Sequence, residues 1–268
     1  MSGEFWTPPG AMIASILGTT LLLTAIIAAR YLAVAALANW LIWRRADGRV
    51  RGLRLNRDAP KAAVIRHELK LSLLSSWIYA LPAALAYEAW RHGGTLVYLD
   101  VGRYGVLWLF ISGALYLAIQ DTYYYWLHRL MHARAWFRYV HAGHHRSRQP
   151  TPYASFAFDW AEAALNAWLL PALVFVIPIH PAVILAILTL ATLTAVLNHA
   201  GSEVLPAWWV RGAPGAWLIS ATHHSVHHTR YDRNFGLYFR VWDRLMGTDA
   251  MPAIPTDRAS MPTLREAL

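Results

Sequence analysis

Apart from His67, His92 and the isolated His180, the chain's 13 histidines group in clusters between residues 128 and 228. Imidazole is the commonest metal-binding side chain, so such a concentration is the first place to look for chemistry. The residues run as His128-Arg-Leu-Met-His132, His141-Ala-Gly-His144-His145, a lone His199, and His223-His224-Ser-Val-His227-His228. Positions i and i+4 share a helix face, so His128 and His132 can aim at one ion. The i, i+3, i+4 spacing of His141, His144 and His145 has the same property, and His224, His227 and His228 repeat it. One ion takes three to five imidazoles, whereas nine or ten are offered, so two ions are the natural count. An all-nitrogen set with few carboxylates suits a redox-active first-row metal or zinc. Chance could place one box, or two, on a protein surface. Three boxes and a fourth histidine on one expected face argue for a common purpose.

The elements that must carry these boxes are membrane helices. The chain has 268 residues, of which 57% are hydrophobic and 15% charged, and its mean hydropathy is +0.31. A soluble domain of this size carries more charge. The 14 Trp and 13 Tyr suit the headgroup layer. The absence of cysteine excludes disulfides, thiolate-ligated haem, Cys-ligated iron–sulfur clusters and a Cys nucleophile. The net charge of +9 sits beside hydrophobic spans, where it orients a membrane protein, so no nucleic-acid partner is expected. The opening MSGEFWTPPG lacks the basic region of a cleaved signal peptide. The length suits one catalytic unit with no fused electron-transfer domain.

Residues 11–29 are free of charge and long enough to cross a bilayer, and 31–43 is apolar again after Arg30, which is read as snorkelling to the inner interface. A basic loop over 44–70 follows, then spans at about 71–90 and 104–127, and a polar, His-rich stretch over 128–160. The apolar run from about 161 to 198, broken at Ile177-Pro178-Ile179-His180-Pro181, reads as a helical hairpin of two full arms. The expected fold is an all-α, multi-pass transmembrane bundle of about three spans plus that hairpin, capped by a His-rich helical region. Residues 1–103 form the N-terminal membrane region and 104–268 the catalytic domain. With the N-terminus outside, all 24 basic residues except Arg30, Arg91 and Arg103 face the cytoplasm, and the histidine boxes with them. Trp208, Trp209 and Trp217 are expected at the interface. The excess of Arg over Lys points to a GC-rich genome and hence a bacterial inner membrane, with the endoplasmic reticulum as the eukaryotic alternative.

Asp121, Tyr125, His128 and His132 lie at i, i+4, i+7 and i+11, a single helical stripe. An Asp in an apolar span needs a partner. Asp121 is expected to accept a proton from a ligand imidazole, or else to pair with an Arg. His67 falls in the basic loop and His92 at the outer end of the second span. His180, at the hairpin turn, is roughly 30 Å from the boxes if the hairpin crosses fully.

The boxes resemble those of the fatty acid hydroxylase and sterol desaturase superfamily over about residues 118–249. DTYYYWLHRLMH (121–132) is similar to its first box, and HAGHHRSRQPTPYASFAF (141–158) to the second with its continuation. ATHHSVHH (221–228) is similar to the last box and NFGLYFRVWDRLMGT (234–248) to the segment after it. TPYASFAF and THHSVHH most resemble the sterol C5-desaturase branch. The resemblance implies two iron ions held by His128, His132, His141, His144, His145, His199, His224, His227 and His228. His223 is adjacent to the ligands and is given a supporting role. Glu203 stands where some members have a further His, so either it or a water would fill that place. Asn234, Asp243 and Arg244 match the trailing segment, with structural and catalytic roles both open.

An unactivated C–H bond offers no handle to an acid or base, which favours a metal that changes oxidation state, and zinc does not. The expected activity is O₂-dependent hydroxylation or desaturation of a lipid, sterol-like or acyl. The lipid would enter from the bilayer, past residues such as Phe156, Phe158 and Trp160. Electrons would come from a ferredoxin or a cytochrome b5-like protein, drawn to the basic face; that charge would equally suit anionic headgroups. The rivals are a zinc-dependent membrane hydrolase and a non-enzymatic haem or metal-binding membrane protein.

Overall fold

The computed structural model describes residues 8–44, 53–56, 58–59 and 61–251. Four helices are long and apolar enough to cross a membrane, as a multi-pass bundle requires. Helix α1 (Pro9–Asn39) continues through a π-helical turn, Trp40–Arg44, so the two apolar runs around Arg30 form one rod. Pro9 opens it, at a position where the missing N–H costs no hydrogen bond. Only 6% of α1's most apolar window is buried in protein, against 33% for α2 (Ala62–Arg91), which makes α2 the inner helix and leaves α1 facing lipid.

Helix α2 starts earlier than its hydropathy suggests, and His67 lies on the helix instead of in a loop. Its buried Glu68, Ser72, Ser75 and Ser76 recur at helical spacing and form a polar stripe. That stripe is matched to the backbone after the second box. Ser72 Oγ donates to the Tyr153 carbonyl at 3.1 Å, and the Thr151 backbone N–H and hydroxyl both donate to the Glu68 carboxylate. The His67 ring lies 3.1 Å from the Gly143 carbonyl, inside the box itself.

Helix α3 (Val106–Met131) carries the first box at its end. Two four-residue turns follow, α4 (Phe137–Val140) and α5 (Ala142–His145), the second holding the second box. The hairpin departs from expectation in its first arm. Instead of one long helix it comprises α6 (Trp160–Ala167) and α7 (Leu169–Leu173), and α8 (Pro181–Asn198) alone is an unbroken span. Pro171 explains the break: it has no N–H to donate to the Ala167 carbonyl one turn earlier. The turn still reaches the far end of the bundle. Tyr98 N–H donates to the Ile179 carbonyl at 3.2 Å, and His180 caps α8 by accepting from Ala182 N–H at 3.2 Å.

After α8 come the short helices α9 (Ala207–Arg211), α10 (Ala213–Trp217), α11 (Ala221–Thr229) and α12 (Val241–Leu245). Trp208 and Trp217 are exposed on this cap. A two-residue strand, β1 (Leu53–Arg54), pairs antiparallel with β2 (Ser202–Glu203). The connection between α1 and α2 therefore straps the chain just beyond His199. Asn56 donates to the Pro150 carbonyl at 2.8 Å and Trp43 Nε1 to the Ala200 carbonyl at 3.0 Å. Gly201 is obligatory beneath this strap: its φ is +67° and a Cβ would lie 2.3 Å from Asn56 Nδ2.

Candidate metal centre

Helix ends bring the histidines together. His128 is in the last turn of α3 and His132 caps it; His141 precedes α5, which carries His144 and His145. His199 ends α8, and His224, His227 and His228 lie on α11. The nine form two groups, His128, His132, His141, His145 and His227 in one and His144, His199, His224 and His228 in the other. Within each group the potential ligand atoms all lie within 4.8 Å of one another. The groups adjoin, with the His145 and His228 rings 4.8 Å apart.

The boxes are not one-ion units, as their shared face suggests. In α5 and its cap, His141 and His145 (i, i+4) join the first group while His144 turns to the second. On α11, His224 and His228 (i, i+4) join the second group and His227 the first.

Proton positions follow from the partners. The Nδ1 of His128 faces the Phe235 carbonyl at 2.9 Å, that of His227 the Arg233 carbonyl at 2.8 Å, and that of His141 the Glu162 carboxylate at 2.7 Å. His144 Nδ1 faces the Ala157 carbonyl at 3.1 Å and His199 Nδ1 the Ala195 carbonyl at 2.8 Å. The four carbonyls only accept, as does the ionised Glu162 carboxylate, so each Nδ1 carries the hydrogen and each Nε2 presents a lone pair. Yet the Nε2 atoms of His128 and His141 are 3.0 Å apart, and those of His144 and His199 are 3.4 Å apart. Two lone pairs cannot share a hydrogen bond. A cation between them resolves the clash.

The donor set fits such a cation. Nitrogens bonded to one metal at about 2.1 Å stand about 3.0 Å apart at right angles and about 3.4 Å apart in a tetrahedron. The nearest Nε2 pairs in the first group, His128–His141, His132–His145 and His145–His227, measure 3.0, 3.1 and 3.0 Å. Five nitrogens at that spacing exceed a tetrahedral site. Burial, reinforced by neighbouring imidazoles, pushes His141, His145, His224, His227 and His228 well below the ordinary histidine range. Burial also lowers His132 to about 3, His144 to about 4 and His199 to about 3. The rings are neutral at pH 7, as ligation demands.

Around these nine, several expectations are corrected. Asp121 holds neither an imidazole nor an arginine; its Oδ1 accepts the backbone N–H groups of Tyr238 and Phe239 at 2.8 and 3.1 Å. The role expected of it belongs to Glu162, which is fully buried and bonded to His141. Glu162 was hidden in the sequence because it opens an apolar run, although a lone acid in such a run is itself a signal. Glu203 is outside both groups. Its Oε2 accepts from the Thr222 N–H and hydroxyl, each at 2.9 Å, and its Oε1 from Leu205 N–H at 3.1 Å, so it anchors the start of α11. His223 points away from both groups to Asp249, 3.3 Å distant, which also pairs with Arg240 at 2.6 Å. Asn234 takes a left-handed φ of 58°, and its amide donates to the His223 and Ala250 carbonyls at 2.9 and 2.7 Å. Arg244 lies exposed over the Trp217 ring.

Asp243 is a support that spacing does not reveal. Buried completely, it accepts from the Phe235 N–H, Gly236 N–H and Thr248 hydroxyl at 2.9, 2.9 and 2.8 Å. It thereby fixes the loop whose Phe235 and Arg233 carbonyls hold His128 and His227. Each buried donor left unpaired costs about 1–3 kcal/mol, so Asp243→Ala is expected to lose at least about 3 kcal/mol. A lower thermal unfolding midpoint in detergent is the measurement, and an unchanged midpoint contradicts this role. Beside the second group, Phe158 lies 5.8 Å from His144 and within an aromatic stack with Phe156 and Tyr79, whereas Trp160 is exposed.

The family model described as fatty acid hydroxylase matches residues 113–248, which include every histidine of the two groups. The lathosterol oxidase of Homo sapiens is 30% identical over 192 residues, covering 70% of this chain and 62% of its own length. A Delta(7)-sterol 5(6)-desaturase of Gibberella zeae is 28% identical over 188 residues, covering 70% of this chain and 57% of its own. A Delta(7)-sterol 5(6)-desaturase of Schizosaccharomyces pombe is 29% identical over 154 residues, covering 58% and 49%. The chain thus spans less than two thirds of the length of these relatives. No solved structure matches it significantly. With the family model matched across both histidine groups and the relatives all sterol desaturases or oxidases, this chain belongs to the fatty acid hydroxylase family, within the sterol C5-desaturase branch of its superfamily.

Proposed function

We propose that this chain is a membrane-embedded oxidoreductase that uses two iron ions and O₂ to hydroxylate or desaturate a C–H bond of a lipid, sterol-like or acyl. The observation that carries the reading is the meeting of Nε2 lone pairs in two adjoining groups, 3.0 Å apart between His128 and His141. His128, His132, His141, His145 and His227 would hold one ion, and His144, His199, His224 and His228 the other. Bound there, iron supplies the one-electron redox chemistry that O₂ activation needs.

The chain's own residues supply position and exclusion. Glu162 and the carbonyls of Phe235, Arg233, Ala157 and Ala195 fix the five rings they meet in the ligating tautomer. Eight of the nine rings are buried, which keeps bulk water from the reacting position. The packed rings of Tyr79, Phe156 and Phe158 form an apolar wall beside His144. Overall, O₂ accepts four electrons, two from the substrate and two from an external donor such as a ferredoxin or cytochrome b5-like protein. Hydroxylation then consumes two protons, leaving an alcohol and one water; desaturation consumes two, leaving an alkene and two waters.

Residues 104–268 form the catalytic region in this reading, braced by the membrane region 1–103. The placement of basic residues supports a cytoplasmic orientation of the histidine end, in a bacterial inner membrane or the endoplasmic reticulum. The sterol-related names of the relatives support a sterol-like substrate over an acyl one.

A second reading, a zinc-dependent hydrolase, draws on the four-nitrogen group, which matches zinc's usual coordination number. Anaerobic purification with metal analysis, then O₂ uptake with a lipid extract and a reductant, separates the two. The oxidoreductase binds iron and consumes O₂ only when reduced. Zinc content with turnover in the absence of O₂ and reductant refutes it.

A further inference from the structure

We propose that the rim of the pocket over His132 is the docking surface for an acidic electron-transfer protein. The inference rests on the redox reading above and adds where its electrons enter. Among the nine converging histidines, His132 alone is incompletely buried. It lines a pocket of about 500 Å³ together with Arg129, Tyr231, Asp232 and Phe235. Tyr231 is exposed, and its ring lies 4.8 Å from that of His145 and 6.2 Å from that of His132. One surface side chain therefore separates solvent from the first histidine group. The four rings of the second group are all buried.

The pocket lining holds Arg129 and Asp232, and the segment that supplies His132 is basic throughout. Residues 122–158 contain no Asp or Glu, but they include Arg129, Arg134, Arg138, Arg146 and Arg148. Arg134 and Arg138 are exposed on the turn directly after His132, with Trp136 and Tyr139 exposed between and beside them at 54% and 58%. Arginines around exposed aromatic anchors are the composition of a protein-binding patch. A partner rich in carboxylates would be steered there electrostatically. Anionic lipid headgroups also favour arginine. The patch is assigned to a redox protein because it follows directly in the chain on His132, the one partly exposed histidine of the two groups.

The test uses the full chain in detergent, wild type and an Arg134→Glu/Arg138→Glu double variant. Both residues are exposed and outside the histidine groups, so iron content and reduction by photoreduced viologen are expected to stay unchanged. Affinity for an acidic [2Fe–2S] ferredoxin is expected to fall about tenfold or more, with a flatter dependence on salt. The rate at which reduced ferredoxin reduces the iron-loaded protein should fall in parallel. Unchanged ferredoxin affinity in the double variant overturns the proposal, as does an effect confined to binding of phosphatidylserine vesicles. Wild-type protein that viologen reduces but that binds no ferredoxin refutes the docking surface alone. Protein that neither reductant reduces refutes the redox reading beneath it.

Discussion

In the proposed two-iron centre, replacing His227 with Ala is expected to abolish lipid oxidation and to lower bound iron from two ions per chain towards one. His227 gives its lone pair to the first group, 3.0 Å from that of His145, and its Nδ1 is already committed to the Arg233 carbonyl. Of the other rings in the group, His128 and His141 are likewise committed through Nδ1, to the Phe235 carbonyl and Glu162. His144→Ala should act on the second group, where only three nitrogens remain. Loss of residues that merely orient a ligand costs about 10–100-fold, so loss of the ligand itself should exceed that range. Iron analysis and product formation by mass spectrometry are the readouts, with circular dichroism confirming that the helices persist. Full activity in either variant contradicts the ligand assignment.

Glu162→Ala is expected to weaken metal binding about 10–100-fold without removing any ligand. The carboxylate accepts the His141 Nδ1 hydrogen at 2.7 Å and has no exposed surface. Its second oxygen, Oε1, is buried without a partner, an expensive state for a carboxylate that a nearby metal cation would compensate. Glu162→Gln keeps an acceptor for His141 but loses the charge, so its affinity should fall between the two. Asp121→Asn is the contrasting control. Asp121 accepts only backbone N–H groups through Oδ1, and Asn can keep that acceptor. Anaerobic titration with iron(II) measures all three. A deficit in Asp121→Asn with none in Glu162→Ala reverses the assignment made here.

These expectations separate what is written locally in the chain from what packing adds. Hydropathy is a local sum, so the spans were legible from composition alone, and α1, α2, α3 and α8 all appear. Helical periodicity is equally local. It marks His128 with His132 and His224 with His228 as pairs on one face, and both pairs stay together in the structure. The end of α6 was less visible because a Pro in an apolar run can kink a helix or stop it, and hydropathy does not distinguish the two.

By itself, the sequence determined that this is a helical membrane protein with its imidazoles concentrated at one end. Tertiary structure alone decided which rings face each other. His145 and His227 are 82 residues apart and meet at 3.0 Å, and no spacing rule carries information over such a separation. The same holds for Glu162 replacing Asp121 beside an imidazole, and for Glu203 being spent on Thr222. Burial sets those partners: each polar group withdrawn from water must find the nearest complementary atom, and only the packed chain defines which atom is nearest.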